Sequence, residues 1–329
     1  MARLFDPIDL HPSLRLKNRV VMPPMLRNHA GADGVVTQEV IQHYVARADG
    51  GVGLIIVEAT YVREDGKLSP RQLGISKDTH IEPLSRLAGA IREHGAAAAI
   101  QIHHAGGVAD PKTIGGHGVA PSADAFPGPD GPRELTTAEA HQLAALFGAA
   151  AGRARAAGFD AVELHGAHGF LVNQFLSPAT NHRHDQYGGG PDGRLRFALE
   201  CVQAMREAAG NDYPIIVRIS AIEERPNGLT LEDSCQIARA LESAGACAIH
   251  VSASLSSPRD YEPGHLVPLA AGIKQAVSVP IIAVGKLHDP ELANRVIEEG
   301  RADLVAVGSQ LLKQPDWPQR AAAVLDQEV

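Results

Sequence analysis

The chain has 329 residues, 44% of them hydrophobic, and a formal net charge of −8 at pH 7. This length and composition exclude wholesale disorder and fit either one large barrel or two ordinary domains. The acidic balance, with no run of Lys or Arg, argues against nucleic acid or an anionic membrane surface as the partner.

Two further features predict a cytoplasmic location. The first residues, MARLFDPIDLHPSLRLKN, lack the apolar run of a signal peptide, and no stretch reaches the ~18–20 uninterrupted apolar residues that a membrane span requires. Cys201, Cys235 and Cys247 form no C-x-x-C pair. We interpret them as small core residues in a reduced compartment, and not as a disulfide, metal or iron–sulfur site.

One pattern repeats along the chain: a short apolar run, a polar loop and an amphipathic helix. Several of the apolar runs, such as GLIIVEA and PIIVRI, are nearly continuous, which is typical of parallel strands buried on both faces. The predicted strands are Arg19–Met22, Val52–Glu58, Ala97–His103, Phe159–His165, Pro214–Ser220, Ala246–Ser252, Val279–Val284 and Asp303–Val307. The predicted helices cover residues 38–49, 80–94, 136–157, 193–209, 231–244, 266–277, 289–299 and 317–326.

Eight strands, each followed by a helix, predict an α/β fold: a single-domain (β/α)8 TIM barrel over residues 1–329, because right-handed βαβ units on a closing parallel sheet generate it. An open doubly wound sheet is the alternative, but no G-x-G-x-x-G turn follows the early strands. Two segments stand outside the repeat. Residues 1–18 could form a hairpin that closes the bottom of the barrel, and the long loop 105–135 follows the third strand, on the face where barrels bind substrates.

The fourth predicted strand leads into the segment HGAHGFLVNQFLSPATNHRHDQYGG at 165–189. This segment resembles the signature of the old yellow enzyme family, which comprises FMN-dependent ene-reductases and their relatives. LFDPIDL…LKNRVVMPPM, GGVGLIIVEAT, IQIHHAG, VRIS and GRADLVAVG resemble other blocks of the family in the same order, so the resemblance covers essentially the whole chain. The last third, with VPIIAVGKLHDPELA, resembles the enoate and 2,4-dienoyl-CoA reductase branch.

The resemblance implies FMN as the cofactor, with NADH or NADPH as the reductant. The matched cofactor positions are Pro24, Met25 and Leu26 after the first strand, Ala59 and Gln101 near the pyrimidine edge, Arg218 beside N1 and O2, and Gly285, Lys286, Gly308 and Ser309 around the phosphate. A fixed guanidinium suits its position because reduced flavin accumulates negative charge at N1 and C2=O. Ser309 stands where many members have an Arg, and Lys286 is the substitute cation that we expect.

Two imidazoles, His165 and His168, match the family's pair of substrate-activating donors. Both could hydrogen-bond one carbonyl, nitro or carboxylate oxygen and polarise the substrate for hydride attack. A metal site is the alternative, because histidines are numerous: His103, His104, His165, His168, His182 and His184. No cysteine or carboxylate set completes such a site, so we expect no metal.

Two further positions depart from the family pattern and bear on the chemistry. Phe170 stands where most members have the Tyr that protonates the substrate carbon. The proton would then come from Tyr61, from His104 or from water, or the reaction would not need one. Leu26 stands where a Thr or Cys usually lies beneath flavin O4, and the loss of that donor predicts a lower reduction potential.

Three functions remain open from the sequence. The first is NAD(P)H-driven reduction of an activated C=C bond in a small molecule, with nicotinamide and substrate taking turns over one flavin face. The second is a flavin-dependent amine or N-methyl dehydrogenase, or a desaturase, in which Glu58, Tyr61, Tyr261 and Glu262 could contact a cationic amine. The third is a non-catalytic flavin-binding barrel that serves a partner. We also expect a homo-oligomer, a frequent state of such enzymes.

Overall fold

Eight parallel strands close into a barrel in the computed structural model, which describes residues 2–128, 131–256 and 261–329. In chain order the strands are β1 (Ile8–His11), β2 (Leu14–Leu16), β3 (Val20–Met22), β4 (Leu54–Tyr61), β5 (Ala97–His103), β6 (Val119–Ala120), β7 (Arg133–Glu134), β8 (Ala161–Gly166), β9 (Ile215–Glu223), β10 (Ala248–Ser254), β11 (Ile281–Ala283) and β12 (Leu304–Ala306). The barrel order is β3, β4, β5, β8, β9, β10, β11 and β12. The predicted (β/α)8 barrel is therefore confirmed, with all eight strands.

Long helices alternate with the barrel strands, and short helices lie in the connecting loops. They are α1 (Gln38–Asp49), α2 (Ile81–Glu93), α3 (Pro111–Ile114), α4 (Thr137–Ala156), α5 (Leu171–Leu176), α6 (Pro191–Ala209), α7 (Leu231–Ser243), α8 (Val267–Lys274), α9 (Pro290–Glu298), α10 (Ser309–Lys313) and α11 (Trp317–Leu325). The eight predicted helices are all present. Short helices α3, α5 and α10 were not predicted, because four to six residues are too few to show a helical period.

Strand alternation divides the apolar core into two shells. Side chains on the inner faces of the barrel strands fill its lower half: Val21, Leu54, Ile56, Ala99, Ala161, Ile216, Ala248, Ile282, Leu304 and Ala306. Leu10, Leu14 and Leu16 of the antiparallel β1–β2 hairpin join this shell and cover the amino-terminal end of the barrel. The alternate strand residues pack against the helices in the second shell.

The long loop after β5 is folded against the segment that follows β8. Within the loop β6 pairs with β7. The buried guanidinium of Arg183 donates hydrogen bonds to the carbonyls of Pro121 and Leu135, and to Asp185. These bonds fix the loop beside the carboxyl ends of the strands. Across the described ranges, no helix has both the length and the apolar character needed to cross a membrane.

Candidate active site

A layer of polar side chains lies above the apolar filling of the barrel. It consists of Gln101 on β5, Glu163 and His165 on β8, Arg218 on β9 and His250 on β10, all of them buried. The register of the parallel strands places Gln101 beside Glu163, and Arg218 between His165 and His250. Since residues two apart on a strand share a face, these side chains continue the inner face of the barrel towards its mouth.

Some polar atoms of this layer are buried without a hydrogen-bond partner among the described residues. They include Nε of Arg218 and Nε2 of His250. An unpaired buried donor or acceptor costs about 1–3 kcal/mol, so such atoms are usually satisfied by a ligand or by water. A ligand with acceptor atoms beside Arg218 would satisfy the guanidinium.

A cavity of about 570 Å³ opens beside Arg218, a volume in the range of cofactor sites. It brings together seven of the cofactor residues predicted from the sequence: Pro24, Met25, Arg218, Gly285, Lys286, Gly308 and Ser309. The lining contains three cations and no carboxylate, so it suits an anionic ligand such as a phosphate ester. Leu26, Ala59 and Gln101 are not among its lining residues.

Lys313 is a cation of this cavity that sequence reasoning missed. It ends the short helix α10, which begins at Ser309. Because α10 is too short to be predicted, nothing in the sequence placed this lysine one helical turn beyond Ser309 and on the same cavity. Two lysines, Lys286 and Lys313, therefore line the same cavity as Ser309.

We expect Lys286→Ala and Lys313→Ala each to weaken FMN binding about tenfold, since a lost charge-assisted contact costs ~1.5 kcal/mol. Equilibrium titration of the apoprotein with FMN measures this, and Lys77→Ala, at an exposed lysine paired with Glu64, is the matched control. Unchanged affinity in both cavity variants would show that neither lysine replaces the missing arginine.

His165 and His168 lie at the end of β8, with ring centroids 5.3 Å apart and ring planes at 89°. Nδ1 of His165 accepts a hydrogen bond from the Ala167 N–H at 3.4 Å, which leaves the proton on Nε2. Burial, with Arg218 and neighbouring histidines, holds the pKa of both rings well below the usual histidine value. Both rings are thus neutral N–H donors near neutral pH. Nε2 of His168 lies 2.7 Å from the Ser252 hydroxyl.

Phe170 packs edge-on against two imidazoles. Its ring centroid is 4.9 Å from that of His165 and 4.6 Å from that of His103. His103 is fully buried, and both of its ring nitrogens lack a partner among the described residues. Burial, then the nearby His104, lower the pKa of His103 to about 3. From the sequence, His103 was considered only as a metal ligand. Its spacing of two from Gln101, which places both side chains on one face of β5, could have indicated its place in the site.

Tyr61 and His104, the side-chain proton donors considered from the sequence, are bonded elsewhere in the protein. The Tyr61 hydroxyl donates to the Asp33 carbonyl at 3.0 Å, and burial raises the pKa of this phenol well above its usual value. Nδ1 of His104 accepts from the Gly106 N–H at 3.0 Å, so Nε2 donates to Asp65 at 3.2 Å. Both protons are therefore already used in bonds within the protein.

Three of the four side chains considered for an amine substrate also have partners within the chain. Glu58 accepts from the Arg27 N–H at 3.0 Å, and Tyr61 bonds to Asp33. Tyr261 stacks on His265, with centroids 5.1 Å apart, and donates to Glu224. These contacts give Glu58, Tyr61 and Tyr261 structural roles. Within the described part of the chain, Glu262 contributes only its backbone carbonyl, which accepts hydrogen bonds from His265. Among the described residues, no group of three or more His, Cys, Asp or Glu side chains could hold a metal ion.

Leu26 is half-buried in the loop after β3, next to the Arg27 amide that binds Glu58. We expect Leu26→Thr to raise the flavin reduction potential by about 30 mV, because a hydrogen bond to a charged group contributes ~1.5 kcal/mol and favours the reduced flavin. A redox titration measures the shift, with Leu26→Val as the apolar control. An unchanged or lower potential in the Thr variant would contradict this assignment.

The barrel and the cation-lined cavity fit an enzyme that binds an anionic cofactor at the mouth of its barrel. The model of the NADH:flavin oxidoreductase / NADH oxidase family matches residues 3–328, and the chain belongs to this family. It is an FMN-dependent NAD(P)H oxidoreductase of the old yellow enzyme type. The predicted family, enzyme class and cofactors are thereby confirmed.

Three relatives illustrate the similarity. The chain is 47% identical over 320 residues to an NADH oxidase of Thermoanaerobacter brockii, covering 94% of this chain but only 49% of that protein. It is 42% identical over 326 residues to an NADPH dehydrogenase of Geobacillus thermodenitrificans, covering 98% of this chain and 94% of the relative. Among solved structures, morphinone reductase in complex with tetrahydroNAD superposes with a TM-score of 0.86 at 30% identity, covering 100% of this chain and 92% of that one. The chain thus spans about half of one relative and nearly all of the others.

Proposed function

We propose that this protein is an ene-reductase that uses NADH or NADPH to reduce a C=C bond conjugated to a carbonyl, nitro or carboxylate group. The observation that carries the proposal is the pair of neutral imidazoles at the end of β8, that of His165, which is buried, and that of His168, which is half-buried. Two N–H donors that share one substrate oxygen stabilise the negative charge that develops there as hydride adds at the β-carbon. A charged amine would gain nothing from such donors.

The cavity supports the residues proposed for the phosphate end of the cofactor, and the family resemblance supports those proposed for its ring system. Lys286, Lys313 and the backbone at Gly285, Gly308 and Ser309 would hold the phosphate of FMN. Pro24 and Met25 would lie along the ring system with Leu26 beside O4, while Ala59, Gln101 and Arg218 would meet the pyrimidine edge. When bound, FMN supplies the hydride carrier between nicotinamide and substrate. Nicotinamide and substrate would bind in turn at the mouth of the barrel, above the polar layer.

The chain's own residues then bind and orient the substrate. His165 donates through Nε2, because its Nδ1 already accepts from the Ala167 amide. We assign the Ser252 hydroxyl as donor to Nε2 of His168, which leaves the proton of that ring on Nδ1 for the substrate oxygen. The low pKa of both rings keeps them neutral near neutral pH, so each ring keeps one N–H donor and the tautomer that its neighbours select.

The proton that completes the reduction would come from water. Phe170 has no proton to give, and Tyr61 and His104 direct theirs to Asp33 and Asp65. Slow, water-dependent protonation would therefore limit the turnover of enones. It would limit nitro compounds less, because a nitro group stabilises the carbanion better than a carbonyl group does. This distinguishes the protein from relatives that have a tyrosine at the position of Phe170.

An anaerobic stopped-flow experiment on the purified flavoprotein tests the proposal. NADH or NADPH is expected to bleach the flavin, and cyclohexenone or a nitroalkene is expected to restore its colour with formation of the saturated product. Bleaching by an amine without nicotinamide would instead establish the dehydrogenase. A flavin that responds to neither reductant would indicate a non-catalytic barrel.

A further inference from the structure

We propose that Glu163 is a positioning residue of the flavin site: it fixes which end of the Gln101 amide faces the cofactor and offsets the charge of Arg218. The inference rests on the cofactor positions assigned above to Gln101 and Arg218. It assigns a role to a buried carboxylate that the reaction itself does not use.

The contacts of Glu163 determine the orientation of the Gln101 amide. Glu163 is fully buried, and its Oε1 accepts a hydrogen bond from Nε2 of Gln101 at 2.7 Å. A carboxylate can only accept, so the amide must turn its NH2 group towards Glu163 and its carbonyl oxygen away from it. Gln101 therefore presents an acceptor to the barrel mouth, which matches the N3–H donor of a flavin pyrimidine ring.

The second oxygen of Glu163 fixes the protonation of His250. Nδ1 of His250 lies 2.6 Å from Oε2 and donates its proton to it. Burial lowers the pKa of His250, against the opposing effect of Glu163, so the ring is neutral near neutral pH. The proton on Nδ1 leaves Nε2 as a bare acceptor, in keeping with its lack of a donor partner in the described part of the chain.

This layer thus holds one anion and one cation. His250 adds no charge, so the carboxylate of Glu163 offsets the guanidinium of Arg218, which is buried on the adjacent strand. Reduced flavin carries additional negative charge, which Arg218 stabilises and Glu163 destabilises. With no side-chain donor at Leu26 either, we expect a low flavin reduction potential, and Glu163 is one cause.

The test is the midpoint potential of holoenzyme carrying Glu163→Gln, which keeps the shape and removes the charge. We expect the ratio of the dissociation constants of oxidised and reduced FMN to rise at least tenfold, a positive shift of about 30 mV for a two-electron couple. The matched control is Glu223→Gln, at a buried carboxylate bonded to Ser177 and Leu229, which should leave the potential unchanged. A merely structural disturbance would weaken the binding of both redox forms and leave their ratio the same.

An unmoved or more negative potential in Glu163→Gln, or an equal shift in the control, overturns the inference. Should Glu163→Gln fail to fold, ¹⁵N NMR of His250 in the wild-type protein decides: the neutral Nδ1–H tautomer supports the inference, and the Nε2–H tautomer or an imidazolium overturns it. The two proposals fail separately. A flavoprotein that passes these tests but reduces no enone refutes only the ene-reductase function, and an active ene-reductase with an unmoved potential refutes only the role of Glu163.

Discussion

Replacing His165 with alanine is expected to slow reoxidation of the reduced enzyme by an enone about 10²–10³-fold. Removal of one preorganised donor to a developing oxyanion has an effect of this size, and Nε2 of His165 is the ring atom left to donate once Nδ1 accepts from Ala167. Single-turnover stopped-flow measurement of flavin reoxidation, over a range of enone concentrations, separates this step from binding.

The control for this variant is His182→Ala. His182 is exposed and bonds to Asp124, away from the end of β8, so its loss should leave reoxidation unchanged. Full reoxidation rates in His165→Ala, at enone concentrations that saturate the enzyme, would show that this imidazole does not activate the substrate. The donor pair would then lose its proposed role.

Replacing Phe170 with tyrosine is expected to accelerate the same step, by about 10²-fold for enones. A positioned general acid contributes 10²–10⁴-fold, and the lower end applies because the surrounding residues have not been adjusted to the new hydroxyl. The Phe170 ring is half-buried and stands edge-on to His165 at 4.9 Å, beside the pair that would hold the substrate oxygen. A tyrosine hydroxyl there would replace water as the source of the proton.

Steady-state and single-turnover rates with cyclohexenone measure this gain, and Phe170→Leu is the control that removes the ring without adding an acid. We expect the Tyr variant to turn over faster than the wild type and the Leu variant not to. Equal rates for wild type and Phe170→Tyr would mean that protonation is not limiting, or that another group in the chain supplies the proton.

The fold was predictable because the strands are recognisable in the sequence as apolar runs. Buried parallel strands such as β4 and β9 are nearly continuous in Ile, Leu and Val, and the helices between them are long enough to show their period. The cavity residues after β3, β11 and β12 were predictable for a related reason. Strand ends in a closed barrel converge on one mouth, so neighbours in space can be named without knowing a single distance.

The direction in which a side chain points was harder to predict than which residues lie close together. Tyr61 stands at the end of β4, but the pairing of β4 with β5 is irregular between Val57 and Thr60, and such a bulge changes which side chains face inward. His104 lies one residue beyond His103, and neighbours on a strand point to opposite sides. Their positions at strand ends made Tyr61 and His104 candidates, but could not show that their protons are directed to Asp33 and Asp65.

The contacts of the buried carboxylate of Glu163 also could not be predicted from the sequence. Glu163 and His250 occur within apolar strands, and nothing in the order of residues indicates that one carboxylate receives both Gln101 and His250. The bond joins β8 to β10, which are separated by 87 residues at the contact. The pairing of β9 with both β8 and β10 brings these groups into one layer.

The most direct test of the account is the crystal structure of the protein with bound FMN. It should show the flavin across the barrel mouth, with Arg218 and the Gln101 carbonyl at the pyrimidine edge, the phosphate beside Lys286 and Lys313, and the imidazoles of His165 and His168 facing the reactive centre of the ring. A flavin bound with its pyrimidine edge away from Arg218, or with both imidazoles turned from its ring, would contradict the site and the mechanism derived from it.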